Sequence, residues 1–226
     1  MDFKMMTCFV LVILTACDAI PRDLSGKMFI FPREGNFLYV RKAIRQNFHA
    51  VTVCLRSVTD LARGHTPFSL STIYSSNAFV ISWNAADKVM ELYVDGRKTE
   101  YRGLDYKLSA WHSVCTTWNA QSGLLQLWFD GQRLMKKTST SGIIRGPFAI
   151  VVGQREKYYG KGYSMEHSFV GLMSDVHMWD SILSDCDIQK YMNELKFPPG
   201  NVLNWTEMDV EIAEGVVVED KFTACT

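Results

Sequence analysis

The chain has 226 residues, 47 % of them hydrophobic, and its 24 lysines and arginines balance its 24 aspartates and glutamates. A neutral balance excludes the strong positive excess that marks many nucleic-acid-binding and membrane-surface proteins. A chain of this length can bury one substantial core, and all-β sandwiches of roughly 200–250 residues are commonly single domains. We therefore expect one domain.

The N-terminal stretch, residues 1–19, has the pattern of a secretory signal peptide. Lys4 precedes an apolar run over residues 5–16, and small residues follow near a cleavage point. The apolar run is too short to span a bilayer. We predict cleavage near Ala19, secretion into the extracellular space, and a mature domain over residues 20–226.

Short runs rich in β-branched and aromatic residues, separated by turn signals, recur about every ten residues. They predict strands over residues 27–31, 36–40, 50–55, 66–74, 77–83, 88–94, 111–118, 124–129, 148–153 and 169–179. Asp-Gly pairs at 95–96 and 130–131 favour tight hairpin turns. The pattern predicts an all-β fold, a two-sheet antiparallel jelly roll or related sandwich of the lectin and laminin-G type.

One short α-helix is predicted near residues 185–195. Ser184 is a candidate N-cap with an acidic residue three positions later, and Ile188, Tyr191 and Leu195 follow at helical spacing. The two prolines at 198–199 should end this helix, because proline cannot continue it.

The C-terminal region places three carboxylates at alternate positions. We predict strands over residues 201–205 and 208–218, and on a strand Glu207, Asp209 and Glu211 would share one face. The pattern resembles the E-x-D-x-E motif of jelly-roll β-glucanases, in which a retaining mechanism needs two carboxylates about 5 Å apart. Glu207 as nucleophile and Glu211 as acid therefore form a remote hypothesis. A polar face on an outer strand explains the pattern more simply, so we expect no enzyme.

A secreted chain can carry disulfides and N-linked glycans. Four cysteines remain after the signal peptide, Cys54, Cys115, Cys186 and Cys225, and three pairings are open. Asn204 begins the sequon Asn-Trp-Thr, although this sequon overlaps a predicted strand.

The stretch from 111 to 131, WHSVCTTWNAQSGLLQLWFDG, resembles the pentraxin family, as do FVGLMSDVHMWD at 169–180 and NVLNW at 201–205. The similarity extends over residues 24–222. It implies a disulfide between Cys54 and Cys115, which leaves Cys186 and Cys225 to pair together, to pair between subunits or to stay free. It also implies a cyclic homo-oligomer, possibly a pentamer. The implied role is acute-phase innate immunity, with lectin-like binding of microbial or damaged-cell surfaces through glycan or phospholipid, and engagement of complement.

The resemblance further implies a site in which carboxylates and amides hold two calcium ions. At the implied ligand positions the chain keeps Asn77, Glu156 and His167 as possible donors, whereas Ser76, Arg155, Lys157 and Ser164 depart from the ligand pattern. Calcium requires several oxygen ligands. Two cationic side chains stand where carboxylates are expected, and each unit charge pair at about 4 Å costs roughly 4 kcal/mol at an effective dielectric near 20. We predict that calcium binding is weak or absent.

The implied phosphocholine pocket also differs. Ser82 stands where an aromatic wall is expected, and Lys98 falls close to the position of an acidic partner for the choline ammonium. Anionic ligands would suit Arg155, Lys157 and Lys161 better. An alternative hypothesis is a structural or carrier extracellular protein of the same fold that lacks ligand recognition.

Overall fold

The computed structural model describes residues 23–40, 46–159, 161–213 and 215–221, and the predicted signal peptide and Cys225 lie outside these ranges. For Lys161 the description covers the backbone and not the side chain. The strands in chain order are β1 (Lys27–Phe31), β2 (Leu38–Val40), β3 (Ala50–Val58), β4 (His65–Thr72), β5 (Phe79–Asn84), β6 (Val89–Val94), β7 (Arg97–Tyr101), β8 (His112–Asn119), β9 (Leu124–Phe129), β10 (Gln132–Arg133), β11 (Lys137–Thr138), β12 (Phe148–Val152), β13 (Glu156–Tyr158), β14 (Lys161–Tyr163), β15 (Gly171–Trp179), β16 (Val210–Ile212) and β17 (Val217–Asp220). The helix α1 spans Asp185–Met192, and two 3-10 helices span Met165–His167 and Trp205–Glu207.

The strands form two antiparallel sheets and one small hairpin. The first sheet has the order β10-β9-β8-β3-β15-β1-β17, with β11 paired to β9. The second sheet has the order β16-β2-β12-β4-β5-β6-β7, and β13 pairs with β14 in the separate hairpin. The predicted fold class, an all-β two-sheet sandwich with one short helix, is confirmed.

The core lies between the two sheets. Along β4, Phe68 and Leu70 are fully buried in it, and the alternating residues Ser69 and Ser71 therefore point to the outer face of the second sheet. Fully burying a side chain such as Phe68 contributes roughly 1.5–3 kcal/mol. This alternation leaves a polar outer face on which a ligand site can form.

The outer face of the first sheet is covered by α1. Cys54 and Cys115 lie opposite each other in β3 and β8 and form a disulfide, with no exposed surface. The helix packs onto this bridge with Ile188 and Tyr191. The disulfide implied by the family resemblance is therefore present, beneath the helix. Cys186 is exposed on α1 and forms no disulfide with any described residue.

The start of α1 is as predicted, and its end is not. Ser184 Oγ accepts a hydrogen bond from Asp187 N, which is the expected N-cap. The helix stops at Met192, well before the prolines, because Glu194 adopts a left-handed backbone conformation with φ of 56°. Leu195, predicted on the buried helical face, is 58 % exposed.

Both predicted C-terminal strands are wrong in extent. Residues 201–205 form no strand, although Leu203 makes one isolated bridge to Met178. Trp205 begins a 3-10 helix, and its indole donates a hydrogen bond to Leu24 O at 2.7 Å. Residues 208–218 divide into β16 and β17, which join different sheets. Gly215, with φ of 92°, allows the chain to turn between them.

Because two histidines are buried, we expect acid to destabilise the folded domain. Burial lowers the pKa of both His65 and His177 to about 4, whereas an unfolded histidine titrates near 6.5. Between these values the unfolded chain binds more protons, so stability falls as the pH decreases from about 6.5 to 4, by roughly 3 kcal/mol per histidine. We expect urea unfolding of His177→Asn to show a clearly smaller loss between pH 7 and pH 4 than the wild-type chain. An unchanged pH dependence in this variant would contradict a neutral buried His177.

Candidate ligand site on the outer face of the second sheet

A small hairpin and one 3-10 helix cover the polar outer face of the second sheet. After β12 the chain turns at Gly153, where φ is 83° and a Cβ atom would approach the Phe31 ring to 2.6 Å, so glycine is required. Ser69 Oγ then donates to Gln154 O at 2.8 Å, and Ser71 Oγ donates to the carboxylate of Glu156. These contacts fix β13 and β14 over β4.

Arg155, at the start of the hairpin, is held from two sides. Its Nε donates to Asn77 Oδ1 at 3.1 Å, and its guanidinium carbon lies 4.5 Å from the centre of the Tyr93 ring. This distance is that of a cation–π contact. Among the described residues, no carboxylate forms a salt bridge with Arg155. The half-buried guanidinium is thus positioned by an amide and an aromatic ring.

Arg155 borders a cavity of about 350 Å³, whose lining consists of Ser76, Asn77, Arg155, Glu156, Lys157, Tyr158, Ser164, Glu166 and His167. We call this the hairpin pocket. A second cavity of about 330 Å³ also contacts Glu166 and His167 and extends to Trp83 and Glu91. The two cavities therefore adjoin at the 3-10 helix Met165–His167.

His167 is neutral at pH 7. Burial lowers its pKa, and the nearby Arg155 guanidinium lowers the pKa further. Its Nδ1 lies 2.7 Å from Ser164 Oγ and 3.6 Å from Glu166 Oε1. The hairpin pocket consequently holds Arg155 and Lys157 as its permanent cations, opposed by the buried Glu156 and the exposed Glu166.

The structure brings all of the sequence-predicted ligand positions together, since Ser76, Asn77, Arg155, Glu156, Lys157, Ser164 and His167 all line the hairpin pocket. The oxygen atoms that could bind a metal already form hydrogen bonds within the protein. Arg155 donates to Asn77 Oδ1, Ser71 donates to the Glu156 carboxylate, and Ser164 Oγ is hydrogen-bonded to His167. No group of three His, Cys, Asp or Glu side chains in the described part of the chain is arranged to hold a metal. This donor set does not fit a pair of calcium ions, which need several free oxygen ligands each.

The neighbouring cavity contains residues that the sequence analysis missed. Glu91 is a buried carboxylate opposite Ser82, and it accepts hydrogen bonds from Asn84, Tyr93 and Lys98. The hydrogen bonds that Lys98 Nζ donates to Glu100 and Glu91 raise the pKa of Lys98, which stays charged. Counting register back from the Asp95-Gly96 turn would have placed Glu91 and Tyr93 on this face.

The three C-terminal carboxylates do not share one strand face. Glu207 belongs to the 3-10 helix, β16 begins only at Val210, and Glu211 lies within it. Asn204 caps this turn, since its side chain accepts from Thr206 N at 3.2 Å, and the buried Trp205 anchors the turn in the core. The predicted alignment of Glu207, Asp209 and Glu211 is therefore wrong. Glu207 and Asp209 instead border a separate cavity of about 560 Å³, which Glu211 does not line.

Comparison with known proteins agrees with this architecture. Residues 27–220 match the model of the pentaxin, or pentraxin, family. The chain is a pentraxin. Serum amyloid P-component of Mus musculus is 34 % identical over 98 % of the chain and 99 % of its own length, and C-reactive protein of Xenopus laevis is 30 % identical over 88 % and 85 %.

A solved structure supports the fold of this pentraxin. The native heptameric SAP-like pentraxin from Limulus polyphemus superposes with a TM-score of 0.80 at 22 % identity, covering 88 % of this chain and 96 % of that one. Within the described residues, no helix is long and apolar enough to cross a membrane.

We propose that Asn204 is N-glycosylated. Asn204 is half-buried and lies outside any strand, and Thr206 is exposed. Thr206 Oγ1 donates a hydrogen bond to Asn204 Oδ1 at 3.1 Å. We expect protein secreted from eukaryotic cells to lose mass on deglycosidase treatment. Asn204→Gln and Thr206→Ala should abolish this shift, and Thr206→Ser should retain it. Identical masses before and after treatment would contradict the proposal.

Proposed function

We propose that this pentraxin is a secreted, non-enzymatic recognition protein that binds its ligands without calcium. The observation that carries this proposal is the hydrogen bond from Arg155 Nε to Asn77 Oδ1. Asn77 is the surviving amide at the first family calcium position, and a fixed protein cation already occupies its oxygen.

Electrostatics supports the loss of calcium. A dication about 4 Å from the guanidinium would cost roughly 8 kcal/mol at an effective dielectric near 20, before any contribution from Lys157. Moving Arg155 away would also break its hydrogen bond and its contact with Tyr93. The oxygen ligands that remain are too few to offset these costs.

The relatives support the remaining features of the proposal. The similarity to serum amyloid P-component and C-reactive protein supports the proposal of secretion, and the heptameric pentraxin from Limulus supports the proposal of a cyclic homo-oligomer. Several identical sites in a ring make weak individual binding useful through avidity. We propose microbial or damaged-cell surfaces as targets, through glycan, phospholipid or other anionic groups, with complement as a further partner.

A structural or carrier role is the second candidate. The observation that favours it is the exposed Cys186 on α1, which could link subunits through disulfides. Non-reducing electrophoresis of the secreted protein separates the two functions in part, because Cys186-dependent covalent multimers favour the structural role.

The direct test is binding of the purified protein to arrays of glycans, phospholipids and bacterial surfaces, with calcium and with chelator. We expect the same ligands to bind under both conditions. Binding that disappears with chelator would contradict calcium-independent recognition. Absence of any binding would favour the structural role.

A further inference from the structure

We propose that protonation of His112 controls how tightly the loop over residues 102–111 is held against the first sheet. This loop joins β7 of the second sheet to β8 of the first. It presents two large apolar side chains, Leu108 and Trp111, each 47 % exposed. The protonated ring fixes the loop, and loss of the proton loosens it, so the protein carries a pH-sensitive surface away from the hairpin pocket.

The His112 ring connects the loop to the turn that follows β9. Its Nδ1 lies 2.6 Å from Asp130 Oδ2, and since an ionised carboxylate can only accept, Nδ1 carries a proton. Ser113 N donates to the other oxygen of Asp130 at 2.7 Å and keeps this carboxylate in place. On the opposite side of the ring, Nε2 lies 3.0 Å from Lys107 N and 2.9 Å from Lys107 O.

The protonation state of Nε2 decides which of its two contacts with Lys107 is a hydrogen bond. In the neutral ring, Nε2 accepts from the N–H, and the carbonyl oxygen of Lys107 faces a lone pair. In the protonated ring, Nε2 donates to that carbonyl, and the imidazolium forms an ion pair with Asp130. Hydrogen bonds that involve an ionised group are roughly twice as strong as those between neutral groups. Protonation therefore strengthens the hold on the loop.

The charged groups around His112 favour the protonated ring. Burial lowers the pKa of His112, but the hydrogen bonds with Asp130 and Lys107 O and the charges of Asp130 and Asp105 together raise it above its usual value. The Lys107 amine is itself paired with Asp105 at 2.9 Å. A raised pKa stabilises the folded loop below about pH 6.5, and this contribution is lost as the pH rises through the folded-state pKa. The sign is opposite to that of the two buried histidines described above.

The other neighbours of the ring carry no charge. Tyr106 and Phe129 stack on His112 with ring centres 4.6 and 4.9 Å away. Burial raises the pKa of Tyr106, so this side chain stays neutral. In β3 the residue opposite His112 is Ser57. The pH response of the loop near neutrality therefore follows the proton on His112.

The loop contains its own reporter group. Trp111 is 47 % exposed, whereas each of the other five tryptophans is at most 6 % exposed, so acrylamide quenching of the fluorescence reports on Trp111. We expect the quenching constant of the full secreted protein to rise between about pH 5.5 and 8.5, because deprotonation of His112 falls in this range. Trp111→Phe should remove the change. Protection factors of the loop amides in hydrogen exchange should fall roughly fivefold, since a hydrogen bond to a charged group is replaced by a neutral one.

Two variants and one matched control separate the proton from the packing of the ring. His112→Gln cannot titrate, so loop protection should become independent of pH. Asp130→Asn keeps an acceptor for Ser113 N and loses the charge, so the midpoint should move to lower pH. The control is His49→Gln, which replaces an exposed histidine at the opposite end of β3 and should leave the response unchanged. Circular dichroism establishes that each variant is folded.

The inference is overturned if loop protection in the wild-type chain does not change across this range. The same change in folded His112→Gln would overturn it as well, because the response would then come from another group. An NMR titration of the His112 ring gives a second measurement, and a midpoint below about pH 6.5 would contradict a ring whose protonated form is stabilised by folding.

Discussion

Restoring the family's oxygen ligands is expected to create calcium binding where the native chain has little or none. The variant carries five changes: Ser76→Asp, Arg155→Glu, Lys157→Asp, Ser164→Glu and His167→Gln. These positions already surround one cavity, so the backbone is in place and only the side-chain chemistry is missing. Calcium affinity measured by calorimetry should rise at least 100-fold, because two charges that repel calcium become two that attract it, each worth roughly 8 kcal/mol against a dication at about 4 Å and an effective dielectric near 20.

The control for this variant reverses the charge of two cations at another place, as Arg155→Glu and Lys157→Asp do in the pocket. Arg133→Glu with Lys136→Asp makes two exposed positions acidic on and beside β10 of the first sheet. It should bind no more calcium than the wild-type chain. If the five-residue variant is folded and still binds no calcium, then the missing ligands do not explain the difference from the family pattern.

Removing the disulfide is expected to lower the free energy of unfolding more than any other substitution proposed for this chain. Cys54 and Cys115 are separated by 61 positions, and in the chain-entropy model closing a loop of this length contributes roughly 4 kcal/mol. We expect Cys54→Ala with Cys115→Ala to lower the free energy of unfolding in urea by about this amount. Loss of packing against α1 adds to the effect, since the bridge lies beneath the helix.

Cys186→Ser is the matched control for the disulfide variant. This exposed cysteine has no disulfide with a described residue, so its replacement should change stability by less than about 0.5 kcal/mol. A double alanine variant as stable as the wild-type chain would show that the bridge contributes no net stability.

The sheets could be predicted from the sequence because strand alternation and turn chemistry are local signals. Ala50, Leu124 and Phe148 begin strands as expected, and Ser184 caps the helix. The C-terminal region was mispredicted for a non-local reason. Leu24 accepts the indole hydrogen bond of Trp205, and this contact joins residues 181 positions apart.

The candidate site was predictable in its residues and not in its geometry. Alignment with the family gathered Asn77, Arg155 and Lys157 into one site, and the structure brings them together. The sequence could not show that Arg155 turns onto Asn77 and Tyr93, because that contact depends on how the hairpin folds back over the sheet. Tyr93 was not among the predicted site residues.

Calcium titration of the wild-type protein by isothermal calorimetry is the most direct test of the central claim, that Arg155 takes the place of the metal at Asn77. The account predicts only heats of dilution through the range of roughly 0.1–1 mM in which extracellular calcium modules are occupied. A saturating two-site isotherm in that range would contradict it.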